Sequence, residues 1–387
     1  MAERAYFDWN ATAPLRPQAH AAMATALALT GNPSSVHGEG RAARHLVETA
    51  REEVAALVGA AAKNVIFTSG GSEANMLALT PAIEVGRDRR PRDLLLVSAI
   101  EHPSVLAGGR FAPDALRHVP VTAQGVIDLA ALREQRAAAA RPLVSVMLAN
   151  NETGVIQPIR EVADMVHEAG GLLHVDAVQA AGRIPCDIKA LGADLLTLSA
   201  HKLGGPQGAG ALVLADDAIH IAPLIAGGGQ ERGRRAGTEN VAAIAGFGAA
   251  AAAARAELPA AAARMTALRQ RLEAGLKAAA PAAVIAGEAA ERLPNTTLVM
   301  APGLKAETAV IAFDLAGVAV SSGSACSSGK VARSHVLAAM GVAPALADAA
   351  LRISLGWTTT EVDLETLLKA WNNLISSLLK GQTGLAA

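Results

Sequence analysis

Cysteine is nearly missing from this chain. There are two in 387 residues, Cys186 and Cys326, far apart and in no C-x-x-C pair. A disulfide scaffold needs more, and a structural zinc site needs clustered ligands, so neither organises the fold. Net charge is also nearly absent, at −1. That gives no support for a basic field that would bind nucleic acid or a membrane surface. Aromatics make up only 2%. No basic stretch followed by an apolar run opens the N-terminus, so no secretory signal is predicted. The most apolar stretch, Val241 to Ala254, is mostly alanine and falls short of the ~20 residues a membrane span needs. It reads as a packed helix. What is left is a cytoplasmic protein long enough to bury a large core in two domains.

What is present is alternation. Val65 to Thr68, Leu94 to Ser98, Arg117 to Val121, Leu143 to Leu148, Leu172 to Asp176, Ala193 to Ser199 and Ala211 to Leu214 are apolar runs of strand length. Helical patterns separate many of them, as at Arg41 to Val58, Asp128 to Ala140 and Ile159 to Ala169. The pattern predicts an α/β fold with a doubly wound, mainly parallel central sheet. In such sheets ligands bind beyond the carboxyl ends of the strands. Polar residues of functional types follow those ends: Ser72, His102, Asn151, Asp176, Gln179, Ser199, His201 and Lys202.

Lys202 is the most unusual of these. Lysine is rarely buried unless it is paired or chemically used. It is either a surface residue just past a strand or an amine that forms a Schiff base with a cofactor aldehyde. A pyridoxal phosphate site would need four things, and the chain offers a candidate for each. Lys202 is the amine. Asp176 is a carboxylate for the pyridinium nitrogen. Gly71 and Ser72, with Ser199 and His201, form a phosphate cradle where a strand turns into a helix. His102 is a flat group for the ring face, and Asn151 or Gln179 a donor for the ring oxygen.

After about Leu258 the composition shifts. A large domain is predicted over 13–257, and a small α+β domain over 1–12 and 258–387. The small domain holds Cys326 within Ser321 to Lys330, a run of serine, glycine and alanine. A cysteine among small neighbours on a loop of about 321–333 is a candidate nucleophile. The glycine-rich, basic stretch Gly227 to Asn240 is either a solvated loop or a second contribution to the phosphate through Thr238.

Together these motifs carry a resemblance. Thr68 to Glu73, Glu101-His102, Asn150 to Gly154, His174 to Gln179, Ser199 to Lys202, Gly227 to Thr238 and Ser321 to Cys326 resemble those of the cysteine desulfurases. These belong to the class V aminotransferase-like, fold-type-I pyridoxal phosphate enzymes. The resemblance spans Tyr6 to about Leu378. It implies pyridoxal 5'-phosphate on Lys202, with Asp176 at the ring nitrogen and His102 stacked as an acid–base residue. It implies Asn151 and Gln179 at the ring oxygen, and Gly71, Ser72, Ser199 and His201 at the phosphate. Thr238 would reach the phosphate from the second subunit of a homodimer. Arg352 would hold the substrate carboxylate, with Asn32 and Asn10 as further substrate contacts. Cys326, on a mobile loop, would take sulfur from L-cysteine, release L-alanine and pass the sulfur to an acceptor protein for iron–sulfur assembly or other transfer. Selenocysteine lyase, cysteine sulfinate desulfinase or another class V enzyme is the alternative. Nothing in an aminotransferase or a non-enzymatic platform accounts for Cys326 alongside Lys202. Ser72 stands where threonine is common, and Gly204 to Gln207 departs from the usual tyrosine-glycine-proline-lysine.

Overall fold

The computed structural model describes residues 4–323 and 333–384. Its central sheet has seven strands, in the order Val65–Thr68, Gly210–Leu214, Leu195–Ser199, Leu172–Asp176, Pro142–Met147, Leu94–Ser98 and Leu116–Val119. Neighbours run parallel, except that Gly210–Leu214 is antiparallel to both of its partners. The sheet is therefore mainly parallel, as the alternation predicts.

The apolar runs are continuous because both faces of the sheet are covered. Period two divides them. Leu94, Leu96, Val144, Val146, Leu173, Val175, Leu196 and Leu198 belong to one core, with Val47, Val54, Val162 and Phe247 from helices. Leu95, Val97, Leu143, Leu172, Leu195 and Leu212 belong to the other, with Leu77 and Val105.

The alanine-rich stretch continues far beyond Ala254. Val241–Ala279 is one helix of 39 residues with Pro259 inside it. By length and composition it could cross a membrane. Instead its first half packs in the large core through Ile244, Phe247 and Ala251. A Cβ on Gly248 would lie 2.5 Å from the Cα of Ala50. The small residues are there so that this helix can approach Gly38–Leu57 closely. Its second half, through Leu268, Leu272 and Leu276, belongs to a separate core with Phe7, Phe313, Ile353 and Trp371. The boundary expected at 257/258 thus falls inside a continuous helix.

That second core sits on a four-stranded sheet ordered Val284–Ile285, Thr296–Met300, Ala350–Ser354 and Ser321–Ser322, all antiparallel. A junction cluster, with Ile100, Met147, Leu298 and Val336, lies between the two sheets.

One polar chain runs through the middle of the large sheet. His174 is fully buried, with Ser145 Oγ at 2.8 Å from Nδ1 and Thr197 Oγ1 at 2.9 Å from Nε2. Burial pushes its pKa down to about 4, against a smaller opposing effect of Asp176. Unfolded, the same group titrates near 6.5. Between these values the unfolded chain binds more protons, so stability falls as pH drops from 6.5 towards 4. A His174→Gln variant lacks this titration. Between pH 7 and 4.5 the wild type should lose about 2 kcal/mol more than the variant in denaturant melts. Glu152, whose pKa burial raises to about 7 against Ser334 and Arg352, acts in the opposite sense but equally in both proteins. Parallel pH curves for the two proteins would show that His174 is not held neutral.

Candidate active site

Every predicted site residue except Asn32, Thr238 and Cys326 lines one cavity of about 270 Å³. It lies at the carboxyl ends of the parallel strands. The side predicted to hold the phosphate is built by a close turn. Thr68 ends its strand, and the helix Gly71–Ala78 starts three residues later. Gly210 on the adjacent strand must be glycine, because a Cβ there would lie 2.5 Å from the carbonyl carbon of Gly70. A Cβ on Gly71 would press Val178 at 3.1 Å and Ser199 at 3.5 Å. Gly71 and Ser72 at the start of this helix line the cavity with Ser199, where the first N–H groups of a helix have no partner within it. His201 lines the same side. Burial, with Lys202 and Arg183 nearby, pushes its pKa down to about 4, so it is a neutral imidazole at pH 7.

Asp176 and Lys202 come from adjacent strands. Asp176 pairs in register with Thr197 on the strand that leads to Lys202, so the 26-residue spacing does place them on neighbouring strands. Asp176 Oδ1 accepts from the Val178 N–H at 3.0 Å, and Oδ2 accepts from Asn75 Nδ2 at 2.8 Å. Lys202 sits in the short turn Ala200–Lys202. Its Nζ donates to the carbonyls of Asn10 at 2.5 Å and Ala11 at 2.7 Å. The N-terminal segment thus lines the cavity through Asn10 and Ala11. His102 caps the helix Pro103–Leu106 with Nδ1. Its pKa is lowered, chiefly by burial, with Asp176 opposing and Lys202 and His335 assisting.

Arg352 is 1% exposed on the small-domain strand. Its Nη2 donates to Asp8 Oδ1 at 2.8 Å and its Nη1 to the Asn151 carbonyl at 3.2 Å. Nε finds no partner among the described residues. A planar guanidinium already oriented at the cavity wall suits a carboxylate ligand. Asn10 is tied to Asn151 and Thr296 through Nδ2, at 3.1 and 3.0 Å.

Two predicted residues lie elsewhere. Asn32 is on an exposed loop, where its Oδ1 accepts from the Ser34 N–H at 2.9 Å. Thr238 is exposed in a second hollow with Ser69, Glu231 and Arg235, outside this chain's cavity. Its loop is fastened beside the helix Gly71–Ala78 by Arg235 on Glu73 at 2.9 Å and by buried Arg51 paired with Glu231. Cys326 lies outside the described residues.

Sequence reasoning passed over three residues that shape the cavity. Asn75 binds Asp176; its signal was its place one turn after Ser72 on the same helix face. Ser104 binds His102 Nδ1 at 2.8 Å. Arg183 is buried, and its Nη1 donates to the Gln179 carbonyl at 2.9 Å and to Gln179 Oε1, which orients that side chain. Gln179 Nε2 in turn reaches the Asn10 carbonyl at 3.1 Å.

The donor set fits pyridoxal phosphate. It has an amine at a strand end, a buried carboxylate on the next strand, an imidazole on the wall and an anion-accepting helix start. Fold and site define a pyridoxal-phosphate-dependent enzyme of the aminotransferase type. Residues 5–367 match the aminotransferase class-V family. A cysteine desulfurase of Cereibacter sphaeroides is 42% identical over 385 residues, covering 97% of each chain. The cysteine desulfurase IscS of Dictyoglomus turgidum is 38% identical, covering 98% of this chain and 96% of its own. The crystal structure of a NifS-like protein from Rickettsia africae superposes with a TM-score of 0.87 at 37% identity, over 97% of this chain and 100% of that one. The chain belongs to the aminotransferase class-V family and, within it, to the cysteine desulfurases.

Proposed function

We propose that this protein converts L-cysteine to L-alanine and leaves the sulfur on Cys326 as a persulfide. The atoms balance: cysteine and the Cys326 thiol give alanine and Cys326–S–SH. The observation that carries the reading is the convergence of Lys202, Asp176, His102 and Arg352 on one cavity. The cofactor, when bound, withdraws electrons from the substrate so that bonds to its α and β carbons can break.

The protein's own groups do the rest. Arg352 takes the substrate carboxylate with its oriented guanidinium. Lys202 takes the Cα proton at Nζ once that amine leaves the Asn10 and Ala11 carbonyls. Asp176 holds its negative charge towards the cofactor, steadied by Asn75 and Val178. His102 closes one wall as a neutral ring. Cys326 attacks the substrate sulfur as a thiolate, the reactive form of cysteine, and then hands the sulfur on. The acceptor is a partner protein, an iron–sulfur scaffold or a sulfur carrier, in the cytoplasm. A homodimer would bring Thr238 of the partner subunit to the phosphate; the exposed Leu27, Leu29, Val36, Leu224 and Ile225 support a covering second copy.

Intact mass after brief exposure to L-cysteine tests the reading. Wild type should gain the mass of one sulfur or more, removed by a thiol reductant. Cys326→Ser should gain none while still binding the cofactor. A cofactor-loaded wild type that gains no sulfur would move the selenocysteine lyase reading to the front.

A further inference from the structure

Asn75 and Ser104 are given no reacting atom in the proposed chemistry, yet they join two residues that take part in it. Asn75 is 2% exposed, and its amide nitrogen carries two hydrogens. One goes to Asp176 Oδ2 at 2.8 Å and the other to Ser104 Oγ at 3.0 Å. The carboxylate decides which way this amide faces, since a reversed amide would set oxygen against oxygen. In the observed sense Asn75 Oδ1 is buried and finds no partner among the described residues. Leaving an acceptor so is costly, and the charge-assisted bond to Asp176 offsets it.

Ser104 Oγ therefore acts as an acceptor towards Asn75, and its one proton is free for another group. His102 Nδ1 lies 2.8 Å away. The backbone N–H of Ser104 points at the same nitrogen, at 3.2 Å. An N–H cannot donate to a ring nitrogen that already bears hydrogen. The backbone contact requires a bare Nδ1, to which the Ser104 hydroxyl then gives its remaining proton; this leaves the imidazole proton on Nε2.

We propose that Asn75 and Ser104 are positioning residues that lock His102 in the neutral Nε2–H tautomer, through a hydrogen-bond chain anchored on Asp176. This rests on the roles proposed above for His102 and Asp176. The consequence is chemical. His102 presents a donor, and it takes up a proton only if the Ser104 N–H is displaced from Nδ1 and the Ser104 hydroxyl turns round to accept. The charged and titratable groups around the ring pull in different directions. Asp176 favours imidazolium, whereas Lys202, His335 and burial oppose it. Glu101, the preceding residue, turns Oε1 to the Met147 N–H instead.

Histidine-selective ¹⁵N labelling of the holoenzyme reads the tautomer directly, with the His102 signals assigned by their loss in His102→Gln. Wild type should show a pyridine-like Nδ1 and a pyrrole-like Nε2. Ser104→Ala removes one of the two donors. It should admit the Nδ1–H tautomer and raise the His102 titration by roughly 0.5–1 pH unit. Ser104→Thr keeps the hydroxyl and should restore both signals. Asn75→Ala should shift the titration in the same direction. A wild-type proton on Nδ1, or a Ser104→Ala spectrum and titration identical to wild type, overturns the proposal. Alanine release and sulfur mass gain, measured on the same wild-type sample, report separately on the proposed reaction. Their absence would sink that reading without altering the tautomer.

Discussion

Lys202→Ala is expected to cut alanine production by roughly 10⁴-fold or more, because the variant loses both a covalent anchor and a base. The fold should survive. The turn that carries Lys202 is held by backbone bonds, Gly205 N–H to the Ala200 carbonyl and Ala13 N–H to the His201 carbonyl, both 2.9 Å. The side chain itself is only partly buried. Lys202→Arg should fail almost as badly, since a guanidinium stays protonated and cannot act as an amine nucleophile. Borohydride treatment supplies a readout independent of turnover. It should fix the cofactor covalently to wild type and not to either variant. If Lys202→Ala retained activity within tenfold of wild type, another amine would have to be the anchor.

Asp176→Asn should be the next most damaging change, lowering turnover about 10³-fold, the scale of a lost preorganised charge. The geometry explains why an isosteric amide is no substitute. Asp176 accepts from two N–H groups, one on each oxygen, from Val178 and Asn75. Asparagine has one acceptor oxygen. Its NH₂ would face a second donor, and the buried site would lose its charge as well. Asp176→Glu keeps the charge and should recover part of the activity. Stopped-flow traces should place the loss in the bond-breaking phase rather than in cysteine binding. An Asp176→Asn enzyme with normal turnover would remove the carboxylate from the electron-sink role.

Much of the fold was legible because its signals are local. Val65–Thr68, Leu94–Ser98, Leu172–Asp176 and Thr296–Met300 are strands whose limits coincide with their apolar runs. The runs are bounded by turn-forming or polar residues such as Asn64, Ser69, Asp93, Gly171 and Asn295, so the sequence itself marks the strand ends. The long helix was not legible as one piece. Pro259 reads as a break, since it removes a backbone donor and crowds the preceding turn. Alanine-rich flanks and two packed cores, one for each half, carry the helix through it. Asn32 lies outside this chain's cavity. The resemblance implies a substrate contact there, and in this chain its Oδ1 accepts from the Ser34 N–H of its own turn.

The sequence by itself determined which chemistry the protein carries. Lys202, Asp176, His102 and Ser72 each follow a strand end, and strand ends are set by short-range patterns of hydrophobicity and turn residues. Only the tertiary structure decided how those groups act on one another. The strand order set Asp176 beside the lysine strand, and helix packing brought Asn75 between Asp176 and Ser104. The N-terminal arm brought the Asn10 and Ala11 carbonyls to Lys202. These are contacts between residues dozens to nearly two hundred positions apart. They depend on how whole elements pack, and no local pattern encodes that.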